Sequence, residues 1–257
     1  MDETEELIRL CVRALVAQMG DVPGVELHLT RSCVLGLTGE PLADFNMLTL
    51  GADPDAEGFL ARSVARARAR GLPLLAMMSP QAAEALTPVA KRLGLTPAGT
   101  APLMVLRAGT PVQPSGPMRV TRALGPEPVG IAGDLAAAAF GSPRDVIARY
   151  IDVGVTETAG VETYIGWGDD GPLSAVTVTP MGNTAGITLM ATPPEHQRQG
   201  LGRALLTQVI ADYRRRGVAR FYLTATEAGR PLYASLGFEA IADLSAWILD
   251  AMPSAHV

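Results

Sequence analysis

Apolar and polar positions alternate along the chain with two periods, and the switches between them outline its elements. Residues 3–19 place apolar side chains at helical spacing after an acidic start, which predicts an amphipathic helix. Two or three short strands follow, and then the signals sharpen. "FNMLTL" (45–50) is strand-like, "AEGFLARSVARARARG" is a helix stopped by Gly71, "PLLAMM" is a buried strand, "QAAEALTPVAKRLG" is a helix and "APLMVLR" is a strand. Beyond them, residues 109–117 ("GTPVQPSGP") concentrate Pro, Gly and Ser, which neither propagate a helix nor pair well inside a sheet. The pattern therefore predicts a first domain over 1–108, a linker over 109–117 and a second domain over 118–257.

The second stretch repeats the theme. Helical segments over 127–140 and 143–157 precede the strands "ETYIGW", "LSAVTVT" and "GITLMA"; a helix over 200–216 ends at Gly217, and "RFYLTA", a short helix over 229–236 and "SAWILD" complete the chain. Alternating elements of this kind pack economically as α/β (α+β) layers, helices on mixed β-sheets. "RARARGLPLLAMM…TPVAKRLGL" (66–95) also lines up with "DYRRRGVARFYLT…RPLYASLGF" (212–238), which reads as an internal duplication.

Composition narrows the function. With 257 residues, 48% apolar and 18% charged, the chain has material for two cores. A net charge of −5 and a pI near 5.3 argue against a nucleic-acid binder. Two cysteines and three histidines in no ligand-like spacing predict no metal site. The acidic start and the lack of a long apolar run predict no membrane segment and a cytoplasmic location.

The candidate chemistry lies in "HQRQGLGRALL" (196–206), where two glycines weaken a helix at its first turn. A helix start carries unpaired N–H groups and the positive end of the dipole, so glycines there let an anion approach the main chain. In context the string is specific: residues 186–238 resemble the core of the GCN5-related N-acetyltransferase (GNAT) family. Gln197-Arg198-Gln199-Gly200-Leu201-Gly202 matches the family's acetyl-coenzyme A signature, and Leu232-Tyr233-Ala234-Ser235-Leu236-Gly237-Phe238 matches its later Leu-Tyr-x-x-x-Gly-Phe element.

The resemblance implies acetyl-CoA as cosubstrate. Its phosphates would lie on the amides of Gln199, Gly200, Leu201, Gly202, Arg203 and Ala204, with Gln197, Arg198 and Arg203 nearby. Pantetheine would enter between splayed strands at Leu189, Met190 and Ala191, where the Met190 N–H faces the thioester carbonyl. Tyr233 matches the family's general acid. Thr226 stands where many members have Asn, and "GITLMAT" lacks the acidic residue that many relatives use as base. Glu162, Glu195, His196 and Glu227 are base candidates by sequence proximity alone.

The implied reaction is direct acetyl transfer to a primary amine of a small molecule. Acetylation of protein N-termini or lysines, and a non-catalytic acetyl-CoA sensor, are the alternatives. In the first half Ala90 falls opposite Tyr233, and Asp53, Asp55 and Glu57 put negative charge where phosphate would need donors. That half reads as a degenerate GNAT-like copy kept for packing, for shaping the acceptor cleft or for forming a homodimer. Its arginine-rich helix reads as a solvated face, and Met77 and Met78 read as strand core.

Overall fold

A computed structural model describes residues 2–20, 22–113, 115–116, 118–151 and 160–251. The chain forms two compact units, residues 1–103 with 240–257, and residues 104–239. The division therefore falls inside two strands and not at 109–117.

The first unit runs α1 (Glu3–Met19), β1 (Glu26–Leu29), β2 (Cys33–Leu37), β3 (Asn46–Leu50), α2 (Ala56–Ala69), β4 (Leu74–Met78), α3 (Pro80–Arg92) and most of β5 (Thr96–Leu106). Buried Ala56, Phe59, Leu60, Ser63, Val64 and Ala67 recur at helical spacing, so α2 lays one stripe on the sheet. Ser79 caps α3 by accepting the Ala82 N–H at 3.2 Å. Pro88 lies inside α3, not at a helix start.

The second unit holds the end of β5, β6 (Arg119–Arg122), α4 (Pro126–Phe140), α5 (Arg144–Tyr150), β7 (Glu162–Trp167), β8 (Pro172–Met181), β9 (Thr184–Ala191), α6 (Leu201–Arg215), β10 (Arg220–Thr224) and α7 (Arg230–Ser235). The helix expected over 143–157 is observed as α5; its remainder, 152–157, lies outside the described residues.

Strand β11 (Glu239–Leu249), which contains "SAWILD", belongs almost entirely to the first unit. It pairs antiparallel with β4, from Ser245 opposite Met78 to Leu249 opposite Leu74. Trp247 and Leu249 enter the first core beside Leu74, Ala76 and Met78, while Met104 and Leu106 from β5 enter the second. The last strand thus completes the sheet of the half it does not follow in sequence.

The duplication is visible in sheet topology. β1–β2 and β2–β3 are antiparallel and β3–β4 parallel; β7–β8 and β8–β9 are antiparallel and β9–β10 parallel. An ion pair recurs with it. Glu26, first in β1, binds Arg70 at the C-cap of α2 at 3.2 Å; Glu162, first in β7, binds Arg216 at the C-cap of α6 at 2.7 Å. Gly71 and Gly217 follow with φ of 65° and 93°, the left-handed stop that glycine permits without strain.

Met77 and Met78 are strand core, as expected. The arginines of α2 and its C-cap are exposed, the solvated face expected, and pair there at the surface: Arg62 with Asp55, Arg66 and Arg70 with Glu26, and Arg68 with the Leu93 carbonyl.

Candidate active site

Parallel pairing of β9 with β10 covers Thr184, Ala185 and Gly186 opposite Arg220, Phe221 and Tyr222. β9 runs five residues further, to Ala191. Against β8 its register shifts: Thr177 faces Thr188 while Ala175 faces Ala191, so one extra residue is accommodated at Leu189–Met190. Leu189 adopts φ 48°, a left-handed conformation in a branched residue and a local strain. A bulge of this kind takes main-chain groups out of the ladder and turns them toward the space beside the strand.

The chain then enters the turn that opens α6. Gln197 donates from Nε2 to the Thr192 carbonyl at 2.9 Å and Gln199 to the Glu195 carbonyl at 3.1 Å, so both side chains brace the turn. Arg198 takes φ 60° and Gly200 φ 79°. The space beside Gly200 is open, so its backbone conformation accounts for the glycine. Gly202 has a different reason: a Cβ there would lie 3.1 Å from Met190 Cε and 3.3 Å from Leu232 Cδ2. The second glycine lets the first turn of α6 close onto the bulge and α7, and so holds the three parts together.

No side chain caps α6, and its first intrahelical bond runs from the Ala204 N–H to the Gly200 carbonyl. The amides of Leu201, Gly202 and Arg203 therefore precede the helical ladder, at the positive end of the dipole. Arg198 and Arg203 form no ion pair or side-chain hydrogen bond among the described residues. This donor set fits a diphosphate ester: an uncapped helix start, open space at Gly200 and two uncommitted guanidinium groups.

Tyr233 on α7 is 8% exposed and packs edge-on to Phe238 with ring centroids 5.8 Å apart. Burial raises its phenol to about 12, so it remains a proton donor across the physiological range. Thr226 is exposed, and its Oγ1 accepts the Gly229 N–H at 3.1 Å. The hydroxyl thus organises the entry to α7, work that leaves it less free for a cofactor contact.

Glu162 is committed to a cluster at the C-terminal end of α6. Its carboxylate accepts from Tyr164 Oη at 2.6 Å, Tyr213 Oη at 2.7 Å and both terminal nitrogens of Arg216 at 2.7 Å, with Arg122 3.6 Å away. Although burial opposes ionisation, hydrogen bonds from Arg216, Tyr164 and Tyr213 and the charge of Arg122 hold the carboxyl at about 2. Arg216 lies 16 residues beyond Gly200, about 24 Å along the helix at its usual rise. The cluster fastens the far end of α6. Glu195 and Glu227 are exposed and His196 is half-buried.

The same stations in the first unit are closed. β3 and β4 stay paired from Met47–Leu75 through Leu50–Met78, and the Ser79 N–H continues to the Leu50 carbonyl at 2.8 Å. The Glu5 carboxylate accepts the Ala52 N–H at 2.8 Å and the Ser79 hydroxyl at 2.5 Å, spanning the ends of both strands. At the start of α2 the Asp55 carboxylate lies against Gly58 and binds Arg62 at 2.5 Å. The protein's own acids fill the positions where the second unit presents donors. Glu5 was not among the sequence candidates; its signal is an acid on the buried stripe of α1, one turn from Ile8.

Two units of mixed sheet and flanking helices, one with an interrupted parallel pair and an uncapped glycine turn, define one mixed α/β fold in two copies. Residues 159–240 match the profile described as Acetyltransferase (GNAT) domain. The chain is 48% identical over 52 residues to the [Ribosomal protein bS18]-alanine N-acetyltransferase of Escherichia coli (strain K12), a match covering 19% of this chain and 35% of that protein. Among solved structures, a GCN5-related N-acetyltransferase from Kribbella flavida is similar at TM-score 0.68 and 19% identity, covering 96% of each chain. A tandem GNAT protein from the clavulanic acid biosynthesis pathway is similar at TM-score 0.61 and 16% identity, covering 94% of this chain and 88% of that one. Residues 159–240 thus match the GNAT domain model, and the chain shares the fold of these tandem GNAT structures.

Proposed function

We propose that the second unit is an acetyl-CoA-dependent N-acetyltransferase that passes the acetyl group directly to a primary amine of a small molecule. The observation that carries this reading is the convergence, around Gly202, of an uncapped helix start, the Leu189–Met190 bulge and the helix bearing Tyr233. Bound acetyl-CoA would supply the activated acetyl thioester.

The chain's own residues then have distinct work. The amides of Leu201, Gly202 and Arg203, with Arg198 and Arg203, bind the phosphates. The main-chain N–H at Met190 stabilises the negative charge that develops on the carbonyl oxygen as the amine attacks. Tyr233 protonates the departing sulfur, and its raised pKa keeps the phenol protonated until then. With Glu162 committed elsewhere, the amine attacks in its free-base form and loses its proton to water.

The test is acetyl-CoA turnover, followed by thiol release, across a panel of small amines and N-terminal peptides. Turnover confined to small amines supports the proposal. Turnover confined to peptides favours a second reading, protein N-terminal acetylation, motivated by the alanine acetyltransferase relative. Tight acetyl-CoA binding with no turnover on any acceptor would leave a sensor module and refute the enzymatic assignment.

A further inference from the structure

A cavity of about 210 Å³ lies in the first unit between α2 and the β1–β2 hairpin. One wall is a single face of α2, with Phe59, Arg62, Ser63 and Arg66 at neighbouring helical positions. The other carries His28, Leu29 and Leu35. Thr30 also borders it, but its hydroxyl is committed, donating to Asp53 Oδ2 at 2.8 Å and accepting from the Ser32 and Cys33 amides. Ser63 differs. It is 2% exposed, and its hydroxyl has no hydrogen-bond partner among the described residues.

At the cavity Arg62 pairs with Asp55, and Arg66 pairs with Glu26, which also binds Arg70 and His28. Neither Asp55 nor Glu26 lines the cavity.

The repeat indicates what such a space accepts. With Gly71 set on Gly217, Arg62, Ser63 and Arg66 fall on Gln208, Val209 and Asp212. In the second unit Gln208 donates to the main-chain carbonyl of Met118 at 2.7 Å, and the Met118 side chain packs on the core just before β6. The first unit's sheet has no strand outside β1 among the described residues. Where one copy holds a carbonyl oxygen and an apolar side chain, the other holds a cavity whose wall has gained arginine and serine.

We propose that this cavity binds a small amphipathic carboxylate, a single carboxylate on a short aliphatic or aromatic body. Arg62, Arg66 and the Ser63 hydroxyl hold the head group, and Leu29, Leu35 and Phe59 receive the body. Guanidinium groups match the planar carboxylate, and the cavity is too small for a nucleotide.

Calorimetric titration of the full chain with hexanoate, and with hexanamide as the uncharged isostere, tests this. Saturable hexanoate binding is expected, with hexanamide weaker by at least about tenfold. The double variant Arg62→Gln/Ser63→Val, which installs the residues of the other copy, should weaken hexanoate by about tenfold or more with an unchanged circular dichroism spectrum. Arg66→Gln, at an exposed position, gives the same readout should the double variant fail to fold. No saturation by about 10 mM hexanoate, equal binding of hexanamide, or undiminished binding by the folded variants would overturn the proposal.

Discussion

Replacing Glu162 with glutamine separates a structural carboxylate from a catalytic one. The side chain is 8% exposed and receives four hydrogen bonds from Tyr164, Tyr213 and Arg216. Its folded-state value of about 2, against an ordinary 4.5, corresponds to about 3 kcal/mol of stabilisation at neutral pH. The sign is that of a depressed carboxyl: the contribution is complete above the unfolded value and is lost as pH falls from about 4.5 through about 2. Arg216 is 42% exposed and regains part of its hydration in the variant, so about 3 kcal/mol is an upper bound for Glu162→Gln.

At about 2–4 °C per kcal/mol for a chain of this size, the melting midpoint should fall by at most about 6–12 °C at pH 7. The difference from wild type should shrink as pH falls below about 4.5 and vanish only below about pH 2. Thermal melts over pH 2–7 measure this. Acetyl transfer at a temperature where the variant is folded should stay within about twofold of wild type, because the carboxylate lies a helix length from the glycine turn. A loss of kcat of about 100-fold with an unchanged melting midpoint would refute the argument and return Glu162 to the mechanism.

Gly200→Glu places a side chain in a left-handed backbone position and a negative charge at the helix start; acetyl-CoA affinity should drop by at least about tenfold in calorimetry. Tyr233→Phe keeps the packing against Phe238 and removes the proton; kcat should fall by about 100-fold, with KM for acetyl-CoA and the melting midpoint nearly unchanged in steady-state and thermal assays. The same phenol, at about 12, should impose no descending limb on the pH–rate profile below about pH 10. Trp247→Ala empties a 5%-exposed position in the first core and should cost about 3–5 kcal/mol, read as loss of hydrogen-exchange protection in β3 and β4 while β8 and β9 keep theirs.

Local periodicity carried the elements because each buries one stripe or one face, and the stripe of α2 from Ala56 to Ala67 can be read from spacing alone. The destination of β11 could not be read that way. "SAWILD" satisfies any sheet edge that offers an apolar core, and pairing with β4 depends on the whole topology. At the site the glycine turn was legible, but the two glycines serve different ends. Gly200 is required by a torsion angle, which sequence hints at; Gly202 is required by Met190 and Leu232, residues 12 and 30 positions away, which sequence does not show. The cluster that holds Glu162 was not legible, because its partners Tyr213 and Arg216 lie more than 50 residues distant.

The repeat has kept what supports the scaffold and lost what supports the chemistry, and the two are spatially separable along one helix. The glutamate–arginine tie at the C-terminal end survives in both copies, although only Glu162 has acquired the two tyrosines. At the N-terminal end the copies diverge in sign. Donors stand open at Leu201, Gly202 and Arg203, whereas Asp55 occupies the corresponding start of α2. Divergence of that kind is not reversed by one substitution. Glu5→Gln would leave Asp55 at the helix start and β3 paired with β4 to their ends, so a helix dipole without an anion vacancy, beside strands without a gap, still presents no donor to a phosphate or a thioester.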